Sequence, residues 1–284
     1  MPVLPIAPRT GPTLLVLNAF SAPEAADVAV GLFSRFPPFG WSYSLGFLRG
    51  WQWWPFKLFA EVHRCFTHTG QYATPVRPWD DWKGELTASV NGASGRFFLC
   101  SGSAPLPLWM LLGHLLWNKE KGLMHVLVVN FRKQSGPQTF TIEMSLDTST
   151  SSAGHLLAVS APPQEPVPAD AVALLYVSLN ARYDVTTDQA QTIEAVIGAG
   201  PVMIWRLRPQ SGIVNVDQAN LGRIAVEIQA VLDDIASKNC TLLLATSGVD
   251  AVAFVMGALV NRHMFSRVVF LDFVQNSYVK AIEI

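Results

Sequence analysis

The second half of the chain alternates short apolar runs with longer segments in which apolar residues recur every three or four positions. This pattern predicts strands at 172–179, 202–207, 241–246, 267–273 and 278–284, and helices at about 186–198, 215–236 and 249–261. The helix at 215–236 has the clearest period, with Asp217 near its start. Strands that alternate with helices indicate βαβ units and a mainly parallel sheet, in which ligands bind at the carboxyl ends of the strands.

The first half follows the same order more loosely, with strands predicted at 13–18, 97–100, 124–131 and 139–144 and helices near 22–34 and 106–118. Four short matches occur in the same order in both halves. Residues 17–19 match 179–181, residues 128–131 match 270–273, and residues 141–144 match 281–284. In addition, Ser103 precedes Gly113 by ten residues, and Ser247 precedes Gly257 by the same interval. The matches predict two copies of one module. Two unrelated parallel-sheet domains with similar apolar patterns are the alternative.

A segment rich in Ser, Thr and Pro separates the two halves. We therefore expect a first module at 1–146, a linker at 147–170 and a second module at 171–284. The first module contains a tryptophan-rich stretch that includes Trp41, Trp51, Trp53 and Trp54. This stretch is either a core-packing insertion or a surface for stacking bases or docking a partner, since Trp is favoured in all three settings.

Composition narrows the function classes. Half of the 284 residues are hydrophobic, 14% are charged, and the formal net charge is −1. This balance favours a folded α/β protein and argues against long nucleic acid as a partner, which requires clustered Lys and Arg. The N-terminus lacks a signal-peptide pattern, and the apolar runs are shorter than the roughly 20 residues of a spanning helix. We expect a soluble cytoplasmic protein without a membrane span.

Several catalytic and cofactor motifs are missing. The chain has no GxxxxGK[ST], GxGxxG, GxSxG or HExxH motif, and its three cysteines stand far apart. The stretch "SGS" at 101–103 resembles a nucleophile turn, but no His and carboxylate partners follow in a suitable order. We therefore expect no catalytic residue, no metal and no cofactor.

The remaining candidates are small and polar residues at the ends of predicted strands. Turns of this kind before a helix form anion sites from free backbone N–H groups, although their Ser residues could equally act as helix caps. Two such turns are predicted, composed of Ser101, Gly102 and Ser103 and of Thr246, Ser247 and Gly248. The loops after the first strand of each half add donors, aromatic rings and a cation: Asn18, Phe20, Ser21, Asn180, Arg182 and Tyr183. Arg206 and Arg208 add positive charge at the same edge, or serve solubility alone.

The C-terminal pattern resembles a known family. A strand that ends in small residues, a helix with "MGALVN", and then "VVFLDF" and "SYVKAIEI" resemble the end of SAVED domains. These are the ligand sensors of bacterial cyclic-oligonucleotide antiphage systems (CBASS) and of some type III CRISPR systems. The resemblance covers 171–284, and the first half through the repeat. It implies an α/β fold of two tandem CARF-like Rossmann modules with mainly parallel sheets, related by pseudo-twofold symmetry.

The resemblance also implies a function. The expected ligand is a cyclic oligonucleotide, commonly a cyclic oligoadenylate, bound in a groove between the modules. Binding is expected to drive homo-oligomerisation that activates an antiphage effector. Because both modules take up the whole chain, we expect either that the effector is a separate protein or that this chain is a sensor cut from a longer one. A ring nuclease that cleaves its ligand by attack of a ribose hydroxyl is one alternative. An adaptor that holds a partner through Trp53 and Trp54 without a nucleotide is another.

Overall fold

A computed structural model of the chain describes ten segments: 13–18, 61–65, 78–92, 97–119, 125–132, 136–143, 155–162, 172–198, 201–238 and 240–284. The strands are β1 Thr13–Asn18, β2 Glu61–Cys65, β3 Phe97–Ser103, β4 His125–Arg132, β5 Gly136–Glu143, β6 Ala158–Ser160, β7 Val172–Val177, β8 Val202–Arg208, β9 Thr241–Thr246, β10 Val268–Val274 and β11 Ser277–Glu283. The helices are α1 Trp79–Gly92, α2 Leu106–Lys119, α3 Thr187–Ile197, α4 Gln218–Ala236 and α5 Asp250–Leu259.

The strands of these segments form two sheets with one topology. The first sheet has the order β2-β1-β3-β4-β5, and the second has the order β8-β7-β9-β10-β11, with β6 added outside β8. Within the five strands that the two sheets share, the pairs are parallel except the last, β4 with β5 and β10 with β11, and the added β6 is antiparallel to β8. The shared order confirms the predicted α/β fold class with two mainly parallel Rossmann-like sheets.

The strand register refines the sequence match between the halves. Asn18 lies opposite Ser103 in the first sheet. In the second sheet Val177 lies opposite Thr246, which puts Ser178 level with Ser247. If Ser103 and Ser247 are equivalent, the counterpart of Asn18 is Ser178. The match of Asn18 with Asn180 is therefore displaced by two residues.

The first of the two predicted turns is part of a strand. β3 continues to Ser103, so Ser101, Gly102 and Ser103 are its last three residues, and the prediction of a turn there was wrong. The connection to α2 is Ala104 and Pro105. The strand is longer than its apolar run because β1 provides backbone partners as far as Ser103.

Three elements were not predicted. α1 buries Trp82, Leu86 and Val90, which are spaced four residues apart on one helix face. β2 has the mixed sequence "EVHRC" and pairs with β1. The predicted helix at 22–34 and the residues Trp41, Trp51, Trp53 and Trp54 lie outside the described residues.

β6 is the third unpredicted element and lies in the predicted linker. Its three residues pair in antiparallel fashion with β8. The carboxylate of Glu227 on α4 accepts hydrogen bonds from the backbone N–H groups of Leu156, at 2.7 Å, and Leu157, at 3.1 Å. Leu157 is fully buried. Residues 155–162 are thus attached to the second sheet by backbone hydrogen bonds that side-chain periodicity does not report.

The contacts within the chain group its residues into two compact units. One comprises 1–70, 85–104 and 121–144, and the other comprises 71–84, 105–120 and 145–284. The second unit therefore contains α2 together with the whole second sheet. Residues 71–84 and 105–120 of the first half of the sequence thus group with residues of the second half.

The second sheet is covered on both faces, as a parallel sheet requires. All six residues of β7 are buried. On one face, α3 covers a core that includes Leu174, Tyr176, Ile193 and Leu243. On the other face, α4 contacts β7 and β8, and α2 contacts β10 and β11, while α5 packs against both α2 and α4. The central strands are therefore shielded from water, and only the strand ends remain open to a ligand.

α2 and α5 approach each other at a pair of glycines. A Cβ atom on Gly113 would overlap the carbonyl oxygen of Phe254, and a Cβ atom on Gly257 would overlap the carbonyl oxygen of Met110. The two contacts are reciprocal, since each glycine meets the backbone three residues before the other glycine. Glycine is required here because the helix backbones touch, and this explains the shared spacing of Ser103 to Gly113 and Ser247 to Gly257.

Replacement of Gly257 by Ala should therefore destabilise the protein by about 1–3 kcal/mol, because the new methyl group forces the two helices apart. Gly222 in α4 is the matched control, since a Cβ there would meet nothing within 4 Å. Gly222→Ala should stabilise the protein by up to about 1 kcal/mol through helix propensity. Urea unfolding of the three proteins measures both changes. Equal effects of the two substitutions would contradict the close helix contact.

Candidate functional site

The order of the second sheet places a topological switch point between β7 and β9. The chain leaves β7 for β8 on one side, and β9 pairs with β7 on the other. In doubly wound sheets, ligands bind in the crevice outside the carboxyl ends of the two strands at such a point. We call the region formed by 178–184 and 246–250 the switch-point edge.

A chain of hydroxyl groups lies at this edge. Tyr176 Oη donates to Ser247 Oγ at 3.2 Å, and Ser247 Oγ donates to Ser178 Oγ at 2.9 Å. Ser178 Oγ in turn donates to the carbonyl oxygen of Asn180 at 2.8 Å. Tyr176 and Ser178 are buried, whereas Ser247 is partly exposed. The network therefore satisfies the buried hydroxyls and holds Ser247 where it can contact solvent or a ligand.

The first turn of α5 lies at the same edge and lacks a side-chain cap. α3 begins with a capping box from Thr186, and Asp217 caps α4. The N-cap residue of α5 is Val249, and no side chain there accepts a hydrogen bond from the helix. The backbone N–H of Gly248 donates to Thr246 Oγ1 at 2.9 Å. The first-turn N–H groups of α5, together with the helix macrodipole, favour an anion at this position.

The loop after β7 presents a cation and an aromatic ring. Asn180 Oδ1 accepts a hydrogen bond from the backbone N–H of Arg182 at 3.0 Å, and Tyr183 N donates to the carbonyl oxygen of Asn180 at 3.1 Å. Asn180 thus shapes the turn. The Arg182 side chain is exposed, Tyr183 is 57% exposed, and no ion pair involves Arg182 within the part of the chain that the structure describes.

Arg206 and Arg208 share a single carboxylate. Arg206 Nε and Arg208 Nη1 each lie 2.8 Å from a different oxygen of Asp184. Asp184 Oδ1 also accepts a hydrogen bond from the backbone N–H of Val185. The two arginines therefore hold the loop that carries Arg182 and Tyr183, and one of their two positive charges is neutralised.

Two carboxyl groups at the carboxyl ends of the strands have perturbed acidities. Burial raises the pKa of Asp250, the first residue of α5, to about 7. Burial also raises the pKa of Asp272 in β10, with partial compensation by a backbone hydrogen bond at Phe273. Both groups therefore disfavour the negative form near an edge that is otherwise suited to anions.

The tyrosine that donates to Ser247 contacts a second tyrosine. The rings of Tyr176 and Tyr278 meet edge to face, with centroids 6.4 Å apart. Burial raises the pKa of the Tyr278 hydroxyl, and neighbouring Tyr176 and Asp184 raise it further. Tyr278 therefore stays neutral and links β11 to the switch-point edge.

The structure brings together the predicted residues of the second half. Thr246, Ser247 and Gly248 adjoin the loop with Asn180, Arg182 and Tyr183, since Val177 and Thr246 are strand partners and Ser247 N donates to Val177 O. The pattern analysis missed Tyr176, Ser178 and Asp184. A signal for the first two was present, because "VALLYVSL" carries polar groups in a fully buried strand. Nothing in the sequence pairs Asp184 with two arginines more than 20 residues away.

The predicted residues of the first half are described only in part. The backbone of Asn18 lies opposite that of Ser103 at the carboxyl ends of β1 and β3, the matching switch point of the first sheet. Ser101 and Gly102 precede Ser103 in β3. Phe20 and Ser21 lie outside the described residues.

The described segments contain no group of three or more His, Cys, Asp or Glu side chains placed to hold a metal ion. None of the helices in these segments is long and apolar enough to cross a membrane.

The model of the family described as SAVED, "SMODS-associated and fused to various effectors sensor domain", matches residues 85–284. The Acinetobacter baumannii Cap4 SAVED/CARF-domain containing receptor with the cyclic trinucleotide 3'3'3'-cAAA is similar, with a TM-score of 0.53 and 16% identity over 72% of this chain and 43% of that one.

The same receptor with the cyclic trinucleotide 2'3'3'-cAAA gives a TM-score of 0.51 and 15% identity, over 72% of this chain and 42% of that one. At these identities the likeness shows a common fold. The chain spans less than half the length of these receptors. No curated protein matches the chain in sequence.

The raised pKa of Asp250 predicts a pH dependence of stability. The fold favours the protonated form, so the contribution of Asp250 is most favourable below its ordinary pKa of 3.8 and is lost as the pH rises to about 7. Asp250→Asn should therefore gain stability relative to the wild type by up to roughly 1.4 kcal/mol per pH unit in this interval. The exposed Asp188 in the first turn of α3 provides the control Asp188→Asn. The free energy of unfolding of each protein is measured with urea from pH 4 to 8. If the difference between Asp250→Asn and the wild type were constant over this range, as it should be for Asp188→Asn, the raised pKa of Asp250 would be refuted.

Proposed function

This chain belongs to the SAVED family, and we propose that it is a sensor that binds a cyclic oligonucleotide. The observation that carries the proposal is the switch-point edge, where the uncapped first turn of α5 adjoins the loop that bears Arg182 and Tyr183. This edge combines N–H donors, a cation and an aromatic ring, which are the groups that recognise phosphates and bases.

We assign the phosphate contacts of the second sheet to Thr246, Ser247 and Gly248 and to the first turn of α5. Ser247 Oγ can give its proton to a phosphate oxygen in place of Ser178. Gly248 lacks a side chain, and a Cβ there would lie 2.9 Å from Thr246 Oγ1, so the turn stays narrow. A phosphate can therefore approach the backbone closely, as in other helix N-terminal anion sites.

The loop after β7 supplies the remaining contacts. Tyr183 stacks on a base, Arg182 pairs with a phosphate, and Asn180 holds the turn through its contact with the Arg182 backbone. Arg206 and Arg208 act as positioning residues, because their contacts with Asp184 hold this loop. The loop is preorganised in this way, which lowers the entropic cost of binding.

We propose matching roles for the first sheet. Asn18, Ser101, Gly102 and Ser103 lie at its carboxyl ends, and Phe20 and Ser21 follow Asn18 directly in the sequence. The repeated topology supports this assignment, because the same strand order creates a switch point between β1 and β3.

The ligand class and the output are also proposals. The two structures of the Acinetobacter baumannii Cap4 receptor contain the cyclic trinucleotides 3'3'3'-cAAA and 2'3'3'-cAAA, which supports a cyclic oligoadenylate as the ligand here. We propose that binding drives homo-oligomerisation and activates an effector of bacterial antiphage defence, of the CBASS or type III CRISPR kind, in the cytoplasm. The family description, a sensor domain fused to various effectors, supports an effector partner.

A panel of cyclic di-, tri- and tetranucleotides tests the sensor function. We expect one member to raise the melting temperature, because a ligand present at 100 times its Kd stabilises the fold by about 2.7 kcal/mol. Chromatography should recover the ligand intact. Cleavage products would support the ring-nuclease alternative, and no stabilisation by any member would refute the sensor proposal and favour the adaptor.

The site assignment predicts the effect of a charge at Ser247. Ser247→Glu places a carboxylate where the phosphate binds and should weaken affinity at least tenfold, measured by calorimetry, while the variant remains folded. The control is Ser266→Glu, since Ser266 is exposed in the turn before β10, at the opposite end of the sheet. Equal affinity of the two variants would show that the phosphate does not bind at Ser247.

The two kinds of arginine should behave differently. Arg182→Ala should leave stability within about 0.5 kcal/mol of the wild type, because the side chain is exposed, and should weaken ligand affinity several-fold. Arg206→Ala should lower stability by about 1–2 kcal/mol, because it removes a charged hydrogen bond to Asp184. Calorimetry measures the ligand affinity of both variants, and urea unfolding measures their stability. A change of stability without a change of affinity in Arg182→Ala would contradict the division of roles.

A further inference from the structure

Phe273 lies at the carboxyl end of β10 with 50% of its surface exposed. A large apolar ring in this position loses the hydrophobic stabilisation that burial would provide. Its neighbours in the hairpin turn, Gln275 and Asn276, are exposed and polar. Among the described residues, the exposed part of the ring adjoins this polar turn rather than an extended apolar patch of the kind that a docked protein needs.

The Phe273 ring contacts a neighbouring ring and lies beside a turn that is fixed by a hydrogen bond. Phe273 and Tyr278 are strand partners, and their ring centroids lie 5.0 Å apart at an angle of 54°. The turn that joins β10 and β11 has two residues with positive φ, Gln275 at 50° and Asn276 at 65°. The Gln189 side chain donates to the Asn276 carbonyl oxygen at 3.3 Å. The loss of side-chain freedom on binding a flat ligand is therefore small.

Phe273 is close to the switch-point edge. β10 pairs with β9 from Val268 to Phe270, and the last pair is Phe270 with Leu244. Phe273 and Ser247 each follow this pair by three residues. Tyr278 contacts both Phe273 and Tyr176, and the Tyr176 hydroxyl donates to Ser247.

We propose that Phe273 is a base-stacking residue of the cyclic-oligonucleotide site, a role that rests on the function proposed above. Tyr183 and Phe273 are then two exposed rings at the carboxyl ends of β7 and β10, on either side of the turn at Ser247. A cyclic oligonucleotide carries several bases around one ring of phosphates, so separate stacking residues are suited to separate bases. Stacking accepts any base, so Phe273 contributes affinity rather than base choice.

The test uses the panel member that stabilises the wild type, with 2-aminopurine in place of its bases, because stacking quenches 2-aminopurine fluorescence. Phe273→Leu keeps an apolar side chain and removes the π face, and it should weaken affinity about 5- to 100-fold and restore part of the fluorescence. Phe273→Trp should bind and quench like the wild type. The control is Met264→Ala, an exposed apolar residue in the 3-10 turn at the other end of β10, which should have no effect.

Each outcome is decisive. Unchanged affinity and quenching in Phe273→Leu would overturn the stacking role while the sensor function stands. Weaker affinity with unchanged quenching would also overturn it, because the contact would then not be a stack. If the wild type bound no member of the panel, the proposed function would fail first and the role of Phe273 with it. The Trp variant separates loss of a stack from damage to the hairpin, since a bulkier ring that retains binding requires an intact site.

Discussion

The contact between α2 and α5 is the constraint on which the described site depends. Gly113 is the eighth residue of α2 and Gly257 is the eighth residue of α5, so the two helices cross at the same depth. At a rise of about 1.5 Å per residue, the start of α5 lies about 10 Å from this crossing. Because the backbones touch, α5 cannot slide or rotate without a clash. The first turn of α5, which has no side-chain cap, is thereby held at the end of β9.

At the switch-point edge, the chain passes from buried apolar residues to partly exposed polar residues within a few positions of the strand ends. β7 is buried throughout, and the hydroxyls of Tyr176 and Ser178 lie at the boundary. A buried hydroxyl without a partner would cost about 1–3 kcal/mol, and the donor chain to Ser247 avoids this cost. Because Ser247 lies between Tyr176 and Ser178 in that chain and also starts the turn before α5, the packing of the core sets the position of the exposed hydroxyl.

The sequence predicted correctly those elements whose apolar residues follow the period of the observed strand or helix. β9 and α4 were found close to their observed bounds because their apolar periods are undisturbed. β6 was missed because three residues carry no period and are held by β8 and Glu227. The contact of Asp184 with Arg206 and Arg208 depends on the pairing of β7 with β8. The spacing of side chains along the sequence gives no information on this pairing. The repeat of Ser and Gly ten residues apart was visible, but its cause, a backbone contact, emerged only from the packing of the helices.

The balance of charge at the edge restricts the kind of ligand that it suits. Arg206 and Arg208 are partly neutralised by Asp184, and Asp250 and Asp272 lie nearby with raised pKa values. Unlike Arg206 and Arg208, Arg182 has no carboxylate partner among the described residues. Long nucleic acid gains its affinity from many phosphate contacts with Lys and Arg, which this edge does not offer. A small cyclic ligand is different, because its closed ring is already ordered and its few phosphates can be bound by backbone N–H groups. Under this arrangement stacking and directed hydrogen bonds, rather than net charge, would distinguish the proposed ligand from the excess of polymeric nucleic acid in a cell.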